Sequence, residues 1–242
     1  NKYLVVSEYD RVGLYDLEGN EVKFMKMDYP VRGSEALKEG VIAVAGYIFT
    51  SDYSIKHRIS LKNADSEKEN VLTSIVSDSS KSWVSIPYKQ EKGSIGFIGL
   101  GHPLAGSRAF IRSTPEGNLV VGFSCQPEIA IYSPEGREIK KLKLSIQPEE
   151  IDQKVREEFY QGVEKAGKKY NLPAEAVVEK IEQSKTFFPK QMPYFYGLEV
   201  DSEGNMLIFV FPEDGETLLF QVYSPAGEFV CETRLDPGDY RI

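Results

Sequence analysis

The stretch Tyr132-Ser133-Pro134-Glu135-Gly136 is one of three copies of a short phrase, a tyrosine followed four residues later by a glycine. The others are Tyr15-Asp16-Leu17-Glu18-Gly19 and Tyr223-Ser224-Pro225-Ala226-Gly227. A second phrase, Glu-Gly-Asn followed by an apolar residue, precedes two of these copies, at 116–119 and at 203–206. Runs of β-branched and aromatic residues flank these turns, and recurring turns between such runs indicate a repeat architecture.

The two clearest units cover residues 108–146 and 193–235. Each holds four strand-like runs joined by three tight turns, and the two units match strand for strand when they are aligned on their turns. Four antiparallel strands in about 40 residues is the size of one β-propeller blade. Such a sheet cannot bury both faces alone, so it must pack against neighbouring sheets.

The first hundred residues repeat the pattern less clearly. Three strands are predicted in 2–25, three in 41–76 and two in 83–100. The first unit begins at what matches the second strand of a blade, so its innermost strand is missing. We therefore predict an all-β propeller of five to six four-stranded antiparallel blades, forming one domain over 1–242. Either residues near 240–242 supply the missing strand and close the ring, or the chain is a fragment of a longer propeller.

A helical hairpin interrupts the repeat at 147–186. Pro148 opens this segment, with acidic residues following it at the positive end of a helix dipole. Apolar residues then recur at four-residue spacing, namely Ile151, Val155, Phe159 and Val163. A second helix with Val177, Val178 and Ile181 is predicted to run to about Ser184. The apolar stripe indicates a surface that docks on the blades.

The turn phrases resemble a known family. Asp201-Ser202-Glu203-Gly204-Asn205 and Tyr223-Ser224-Pro225-Ala226-Gly227 look like NHL-type repeats. With the helical insertion and Phe188-Pro189-Lys190 before the last blade, the chain is similar to bacterial six-bladed, TolB-like propellers, often secreted lipoproteins. The resemblance implies an exported, periplasmic or outer-surface protein, tethered by a lipid upstream of this chain, with no established reaction. Six full blades plus the insertion need more than 242 residues, which leaves blade number open.

Composition excludes several partners. The net charge is -8, and phosphate backbones need a dense cationic surface, so nucleic acid is not an expected partner. No apolar run approaches the roughly 20 residues of a membrane-spanning helix. There are two cysteines, Cys125 and Cys231, without a CxxC motif. One disulfide between them is open, and a thiolate zinc site is not expected.

Catalytic patterns are scarce. The chain has two histidines: His57 is predicted to be solvated beside charged neighbours, and His102 lies in a glycine-rich loop where a ligand could bind. No GxSxG elbow is present, and Cys125 is expected to be buried and inert. Channel acids could bind a metal as in propeller lactonases, with Glu116, Asn118, Glu199 and Asp201 as candidate ligands. Turn geometry accounts for these residues as well, so no metal or cofactor is predicted.

The densest aromatic stretch is 187–196. Phe188, Tyr194 and Tyr196 could form a stacking platform for a sugar or peptide, or they could seat the helical hairpin on the blades. With His102, these three are the predicted ligand-binding residues. The leading hypothesis is a non-enzymatic, exported propeller that binds a protein, peptide or glycan at the cell envelope. The alternatives are a lactonase- or hydrolase-type enzyme with a metal in the channel, and a purely structural envelope subunit.

Overall fold

A computed structural model describes residues 3–49, 55–66, 68–76, 83–89, 95–101, 107–211 and 217–235. The described chain is all-β apart from two α-helices and one 3₁₀ turn, and its strands form antiparallel sheets in sequence order. Blade 1 has three strands, β1 (Leu4–Ser7), β2 (Arg11–Tyr15) and β3 (Glu21–Lys26). Blade 2 has four, β4 (Val31–Ala36), β5 (Val41–Phe49), β6 (Ile55–Asn63) and β7 (Glu69–Val76).

The later strands complete the architecture. A hairpin of β8 (Trp83–Lys89) and β9 (Ile95–Gly101) precedes blade 3, which consists of β10 (Ala109–Ser113), β11 (Leu119–Phe123), β12 (Glu128–Tyr132) and β13 (Glu138–Lys143). Helices α1 (Gln153–Lys169) and α2 (Ala174–Phe187) follow. Blade 4 consists of β14 (Gly197–Val200), β15 (Met206–Val210), β16 (Leu218–Tyr223) and β17 (Phe229–Leu235).

One turn geometry serves both repeated phrases. In the last hairpin of blade 4, Gly227 has φ +78° and its N–H donates to the Ser224 carbonyl at 2.7 Å. In the first hairpin of the same blade, Gly204 has φ +85° and donates to the Asp201 carbonyl at 3.1 Å. A type I turn closed by a left-handed residue makes a short hairpin, and glycine adopts that conformation without strain. The Tyr-x-x-x-Gly phrase marks the last hairpin of its blade.

The blades pack face to face, and each seam between them is a hydrophobic core. The proximal face of a blade lies on the preceding blade, and the distal face lies on the following one. Val12 and Leu14 of blade 1 are buried against Ile42 and Val44 of blade 2. The other seams join blades 2 and 3 through Ala43, Ile59, Leu61, Leu119 and Val121, and blades 3 and 4 through Val120, Ile129, Ile131, Met206 and Ile208. Because successive side chains of a strand point to opposite faces of the sheet, each blade contributes apolar residues to the cores on both of its faces.

The repeated tyrosine lies in these seams. The Tyr223 hydroxyl accepts a hydrogen bond from the backbone N–H of Ser145, the second residue after the outer strand of the preceding blade, at 3.3 Å. The Tyr132 hydroxyl of blade 3 donates to Glu138 Oε2 of its own blade at 3.5 Å, and its ring packs in the core between blades 2 and 3. Both rings are buried. The phrase therefore encodes a contact between blades as well as a turn.

The innermost strands lie side by side, as in a propeller. Strand β10 lies beside β4, and β14 lies beside β10. Blade 1 has no counterpart of these inner strands among the described residues, as predicted. Two hydrogen bonds show that the last hairpins of blades 1 and 3 correspond. Met27 N–H donates to the Asp10 carbonyl in blade 1, and Leu144 N–H donates to the Pro127 carbonyl in blade 3, each at 2.8 Å. Strand β1, which precedes that hairpin, therefore corresponds to the second strand of blade 3. The predicted closing segment near 240–242 lies outside the described residues.

The first hundred residues contain one strand that was not predicted. The sequence analysis missed β4, because Val-Arg-Gly-Ser-Glu-Ala lacks a strand-like apolar pattern. Strand β4 is the innermost strand of blade 2, and most of its residues are polar or small. The two strands predicted in 83–100 are present and form a two-stranded hairpin that lies against α1 and α2. The described part of this segment is therefore a hairpin and not a four-stranded blade.

The helices form a small core of their own. Asp152 caps α1 by accepting from the Val155 N–H at 2.7 Å. The buried residues of this core are Ile151, Phe159, Val163, Val177, Ile181 and Phe188. Val178, which lies in the predicted second helix with Val177 and Ile181, is 58% exposed, because it follows Val177 directly and projects from another side of the helix.

His57 was expected to be solvated, and that prediction was wrong. Its side chain is only 8% exposed and lies 6.5 Å, ring centre to ring centre, from Phe123 across the seam between blades 2 and 3. Its neighbours in sequence, Lys56 and Arg58, suggested a solvated segment, but alternation along β6 turns His57 into the seam.

Candidate functional site

Three charged side chains meet where the inner strands come together. Glu35, Arg112 and Glu199 are each the second-to-last residue of the first strand in blades 2, 3 and 4. The Arg112 guanidinium donates through Nε and Nη2 to the two carboxylate oxygens of Glu199, at 2.6 and 2.5 Å. Its Nη1 lies 3.5 Å from Glu35 Oε1. We call these three residues the axial cluster.

The electrostatics of the axial cluster are asymmetric. Burial raises the pKa of Glu35, and the positive charge of Arg112 opposes that shift. The Ser113 hydroxyl donates to Glu35 Oε2 at 3.1 Å. The hydrogen bond to Glu199 raises the pKa of Arg112. With both carboxylates ionised the cluster carries one net negative charge, and its fork-like pairing fixes the three strands relative to one another.

A cleft of about 430 Å³ lies beside the axial cluster. It is formed where the first hairpins of blades 2, 3 and 4 come together, and Ser113 belongs to both the cleft and the cluster network. The other lining residues are Ala36, Lys38, Thr114, Pro115, Gly117, Val200, Asp201 and Ser202. We call this the rim cleft. Hydroxyl groups, an amine and turn backbone converge there, which suits a ligand rich in hydrogen-bonding groups.

A second cleft, of about 480 Å³, lies between blades 1 and 2. Its lining is mainly apolar, with Tyr3, Val5, Leu37 and Ile42 on its walls and Lys38 near the rim cleft. The two clefts therefore share Ala36 and Lys38 and open on the same end of the blades.

The structure separates the residues that the sequence analysis grouped as a ligand platform. His102 lies outside the described residues. Phe188 is 6% exposed and packs on Phe159, with ring centres 5.2 Å apart, in the helical core. Tyr194 packs on the core between blades 3 and 4. Tyr196 lies 5.0 Å from Phe211 and 6.1 Å from Phe209 of blade 4, ring centre to ring centre. Their predicted role in ligand binding stays a prediction.

The acids suggested as metal ligands have other partners. Glu199 is held by Arg112. The Asp201 carboxylate accepts from the Asn205 N–H and side-chain amide, each at 2.8 Å, and these bonds lower its pKa. Asp16 makes the same pair of bonds to Asn20. Within the described residues, no group of three or more His, Cys, Asp or Glu side chains is arranged to hold a metal ion.

The two cysteines are not joined. Cys125 is partly buried next to the core between blades 2 and 3, and Cys231 is exposed on β17. Neither helix in the described part of the chain is long and apolar enough to cross a membrane.

Sequence reasoning missed Glu35 and Arg112. The signal was present in the alignment of the first hairpins. Ala36, Ser113 and Val200 each pair with an apolar residue at the start of the next strand, namely Ile42, Leu119 and Met206. The residue before each of the first three is a charged one. A charge at the same position in three successive strands indicates a shared polar environment, but the strand in blade 2 had first to be recognised.

Comparisons with known proteins found solved structures that have low sequence identity to this chain. No family model matches the chain, and no curated protein matches it. A solved protein of unknown function from Bacteroides caccae aligns over 98% of this chain and 73% of its own, with 13% identity and a TM-score of 0.32. A member of the duf4221 family from Bacteroides vulgatus aligns over 97% and 78%, with 11% identity and a TM-score of 0.30.

A quinonprotein alcohol dehydrogenase-like protein from Bacteroides thetaiotaomicron is also similar. It aligns over 98% of this chain and 53% of its own, with 11% identity and a TM-score of 0.31. The class of protein is defined by the observed sheets: an all-β protein of propeller-like blades with a helical hairpin between blades 3 and 4.

Proposed function

We propose that this protein is a non-enzymatic, exported β-propeller that binds a protein, peptide or glycan at the cell envelope. The observation that carries the binding role is the rim cleft. Binding sites of β-propellers form where loops of several blades converge, and function has to be argued from such a site rather than from the fold.

The chemistry of the rim cleft favours binding over catalysis. Ser113, its candidate nucleophile, donates its hydroxyl hydrogen bond to Glu35, and that carboxylate also faces the Arg112 guanidinium. Glu35 is a weak base for a serine hydroxyl, because the Arg112 charge favours its ionised carboxylate, and the described residues that line the cleft include no histidine. Here the carboxylates are committed to an ion pair that holds the inner strands together, so the network serves as a rigid floor for the cleft.

The ligand class follows from the donors and acceptors at the cleft. Thr114 and Ser202 offer hydroxyl groups, and Lys38 offers an ammonium group at the mouth. Sugar hydroxyls and peptide carbonyls pair with such groups. The volume of about 430 Å³ lies within the range of about 300–1,000 Å³ that is typical of small-ligand sites.

A bulky residue in the cleft tests this proposal. The purified protein is screened against an array of bacterial oligosaccharides and an array of tiled peptides, and hits are titrated by calorimetry. The variant Ser202→Trp should weaken binding of a true cleft ligand at least about tenfold, which is about 1.4 kcal/mol. The matched control is Leu17→Trp, the same turn position in the last hairpin of blade 1, where the residue is 66% exposed.

Binding that survives Ser202→Trp, or that is lost equally with Leu17→Trp, would argue against the rim cleft. The absence of any saturable hit on both arrays would argue against the binding role itself.

The envelope location rests on the resemblance of the turn phrases to those of exported propellers. Fractionation of cells that express the native gene tests it, since an antibody against this protein should detect it in the periplasmic or membrane fraction. Detection in the cytoplasmic fraction alone would contradict the proposal. Triton X-114 partitioning then distinguishes a lipid-tethered form from an untethered one.

A further inference from the structure

Acceptor oxygens dominate the side-chain chemistry of the rim cleft. The Ser113 hydroxyl donates its hydrogen to Glu35 Oε2, 3.1 Å away, so its oxygen can only accept from a ligand. The Thr114 hydroxyl lowers the pKa of Glu116, which a hydroxyl does by donating to the ionised carboxylate. Both hydrogens are therefore used within the protein, and a ligand in the cleft meets oxygen lone pairs.

Asp201 adds a negative charge to the lining of the cleft. Its Oδ1 accepts from the backbone N–H groups of Glu203 and Asn205 at 2.9 and 2.8 Å, and its Oδ2 accepts from the Asn205 side-chain amide at 2.8 Å. The bond from that side chain is the main cause of the lowered pKa of Asp201, so the carboxylate is ionised at neutral pH. Because a carboxylate has about four acceptor sites, these three bonds leave room for a further donor.

Lys38 is the cation among the residues that line the cleft, and an acidic side chain offsets its charge. A Cβ on Gly117 would lie 2.5–2.8 Å from Lys38 Cγ, Cδ and Cε, so the lysine stem lies across the turn of blade 3. The Lys38 charge contributes to the lowered pKa of Glu116, after the larger effect of the Thr114 hydroxyl. The ammonium group is therefore close enough to Glu116 for the two charges to interact.

The remaining charges give the cleft a negative potential. In the axial cluster two carboxylates share the Arg112 guanidinium, which leaves one net negative charge next to Ser113. Asp201 pairs with amide groups of its own turn and not with a cation, which leaves a second. Charges of one sign around a cleft raise the local concentration of ligands of the opposite sign. The described surroundings of the rim cleft therefore favour a cation.

We propose that the rim cleft binds a lysine or arginine side chain of a peptide or protein segment. This inference rests on the proposed binding role of the cleft and names the chemistry of the ligand. Ammonium and guanidinium groups donate several hydrogen bonds and accept none, so they match a lining whose hydroxyl hydrogens are already donated elsewhere. Hydrogen bonds from such a head to an ionised carboxylate are stronger than those between neutral groups, which makes Asp201 the specificity-determining residue.

The walls of the cleft suit the stem of such a side chain. Ala36, Pro115 and Val200 present apolar surface, against which the methylene groups of lysine or arginine pack while the charged head reaches the polar groups. An amino sugar carries the same cationic group on a ring, but none of the residues that line the cleft is aromatic, so a sugar ring has no face to stack on. The lining therefore favours a peptide over a glycan.

Two substitutions with opposite expected effects test the proposal. The probes are the blocked peptides acetyl-Gly-Ser-Xaa-Ser-Gly-amide, with lysine, arginine, glutamine or glutamate at Xaa, and a glucosamine tetramer; each is titrated into isotope-labelled protein by NMR. Asp201→Asn removes the charge but keeps an acceptor oxygen for the turn, and it should weaken binding of the lysine peptide about fivefold. Lys38→Gln removes the competing cation and should strengthen that binding about twofold.

Asp16→Asn is the matched control. Asp16 makes the same bonds to Asn20, at 2.7 and 2.9 Å, in a turn of blade 1, so its substitution removes the same charge from the same kind of turn outside the cleft. It should leave peptide affinity at the wild-type value. Circular dichroism checks the folding of each variant, and Lys38→Gln, at an exposed position, still gives the sign of the effect if Asp201→Asn does not fold.

The lysine and arginine peptides should bind more tightly than the glutamine and glutamate peptides. The proposal is overturned if the glutamate peptide or the glucosamine tetramer binds most tightly, if Asp16→Asn weakens binding as much as Asp201→Asn does, or if Lys38→Gln weakens it. A probe with another preference that Ser202→Trp still blocks leaves the binding role of the cleft standing. The absence of binding by every probe overturns this inference alone, because the wider oligosaccharide and peptide arrays test the binding role separately.

Discussion

Burial of His57 makes the stability of this protein depend on pH in a definite direction. Desolvation in the seam between blades 2 and 3, with a smaller contribution from the positive charge of Arg32, lowers the pKa of His57 from 6.5 to about 4. A backbone hydrogen bond with Ser107 opposes the shift only in part. The native state therefore keeps the imidazole neutral at pH values where the unfolded chain binds a proton.

The sign and size follow from linkage. Between pH 6.5 and about 4 the unfolded state binds more protons at this site than the native state does, so acidification through this range lowers the free energy of unfolding. The full shift is worth about 3 kcal/mol, and about 2 kcal/mol of it is lost by pH 5. The loss is absent above about pH 7.5 and levels off below about pH 4.

Urea unfolding at pH 8 and pH 5 measures this effect. His57→Gln removes the titrating group, so its drop in stability between the two pH values should be smaller than that of the wild type by about 2 kcal/mol. The other ionisable groups titrate in both proteins and cancel. Lys56→Gln is the control, because it changes a charge on the same strand without removing a group that titrates in this range, and it should keep the wild-type drop.

The reasoning is refuted if His57→Gln loses as much stability as the wild type, within about 0.5 kcal/mol, since His57 would then have an ordinary pKa. An NMR titration of the two histidines gives an independent reading. The resonance that disappears in His57→Gln should titrate near pH 4.

Three further changes test the seams and the axial cluster. Gly227→Ala should lower the free energy of unfolding by more than about 1 kcal/mol, because φ is +78° and a neighbouring leucine occupies the Cβ position. Gly162→Ala, in helix α1 with open space around it, should instead stabilise by about 0.5–1 kcal/mol; equal effects in urea unfolding would contradict the assignment. Tyr223→Phe removes the bond to the Ser145 N–H and should cost about 1 kcal/mol, and no loss would argue against the seam role. Arg112→Met should lower the melting temperature more at pH 8 than at pH 4.5, because its two carboxylate partners repel each other only when ionised, and a loss independent of pH would contradict the ion-pair account.

Local signals were sufficient for the blades. The turn at Gly136 and its relatives depend on residues within five positions, namely a hydroxyl or carboxylate that accepts from the chain and a glycine that takes positive φ. The strand character of β11 and β12 could likewise be predicted from their β-branched and aromatic residues. Such features depend on backbone sterics and short-range hydrogen bonds, which a sequence displays directly.

The polar and aromatic positions were less legible. His57 has charged neighbours in sequence, and it is buried because blade 3 packs against blade 2. Phe188 belongs to an aromatic stretch that was predicted to bind a ligand, yet it is buried in the core of the helical hairpin. Glu35 lies on a strand with no apolar pattern, so both the strand and its place in the axial cluster were invisible until the inner strands were placed side by side.

The division has a physical cause. Turn chemistry and strand alternation are properties of a few consecutive residues, so the repeated Tyr-x-x-x-Gly phrase was enough to establish blades and their order. Which face of a blade is covered depends on residues far away in the chain, because burial, ion pairing and desolvation arise only when separate blades pack. The tyrosine at the start of the phrase shows both levels: its spacing to the glycine marks a hairpin, whereas its bond to the preceding blade, and the lack of such a described partner blade at Tyr15, emerge only from the packed structure.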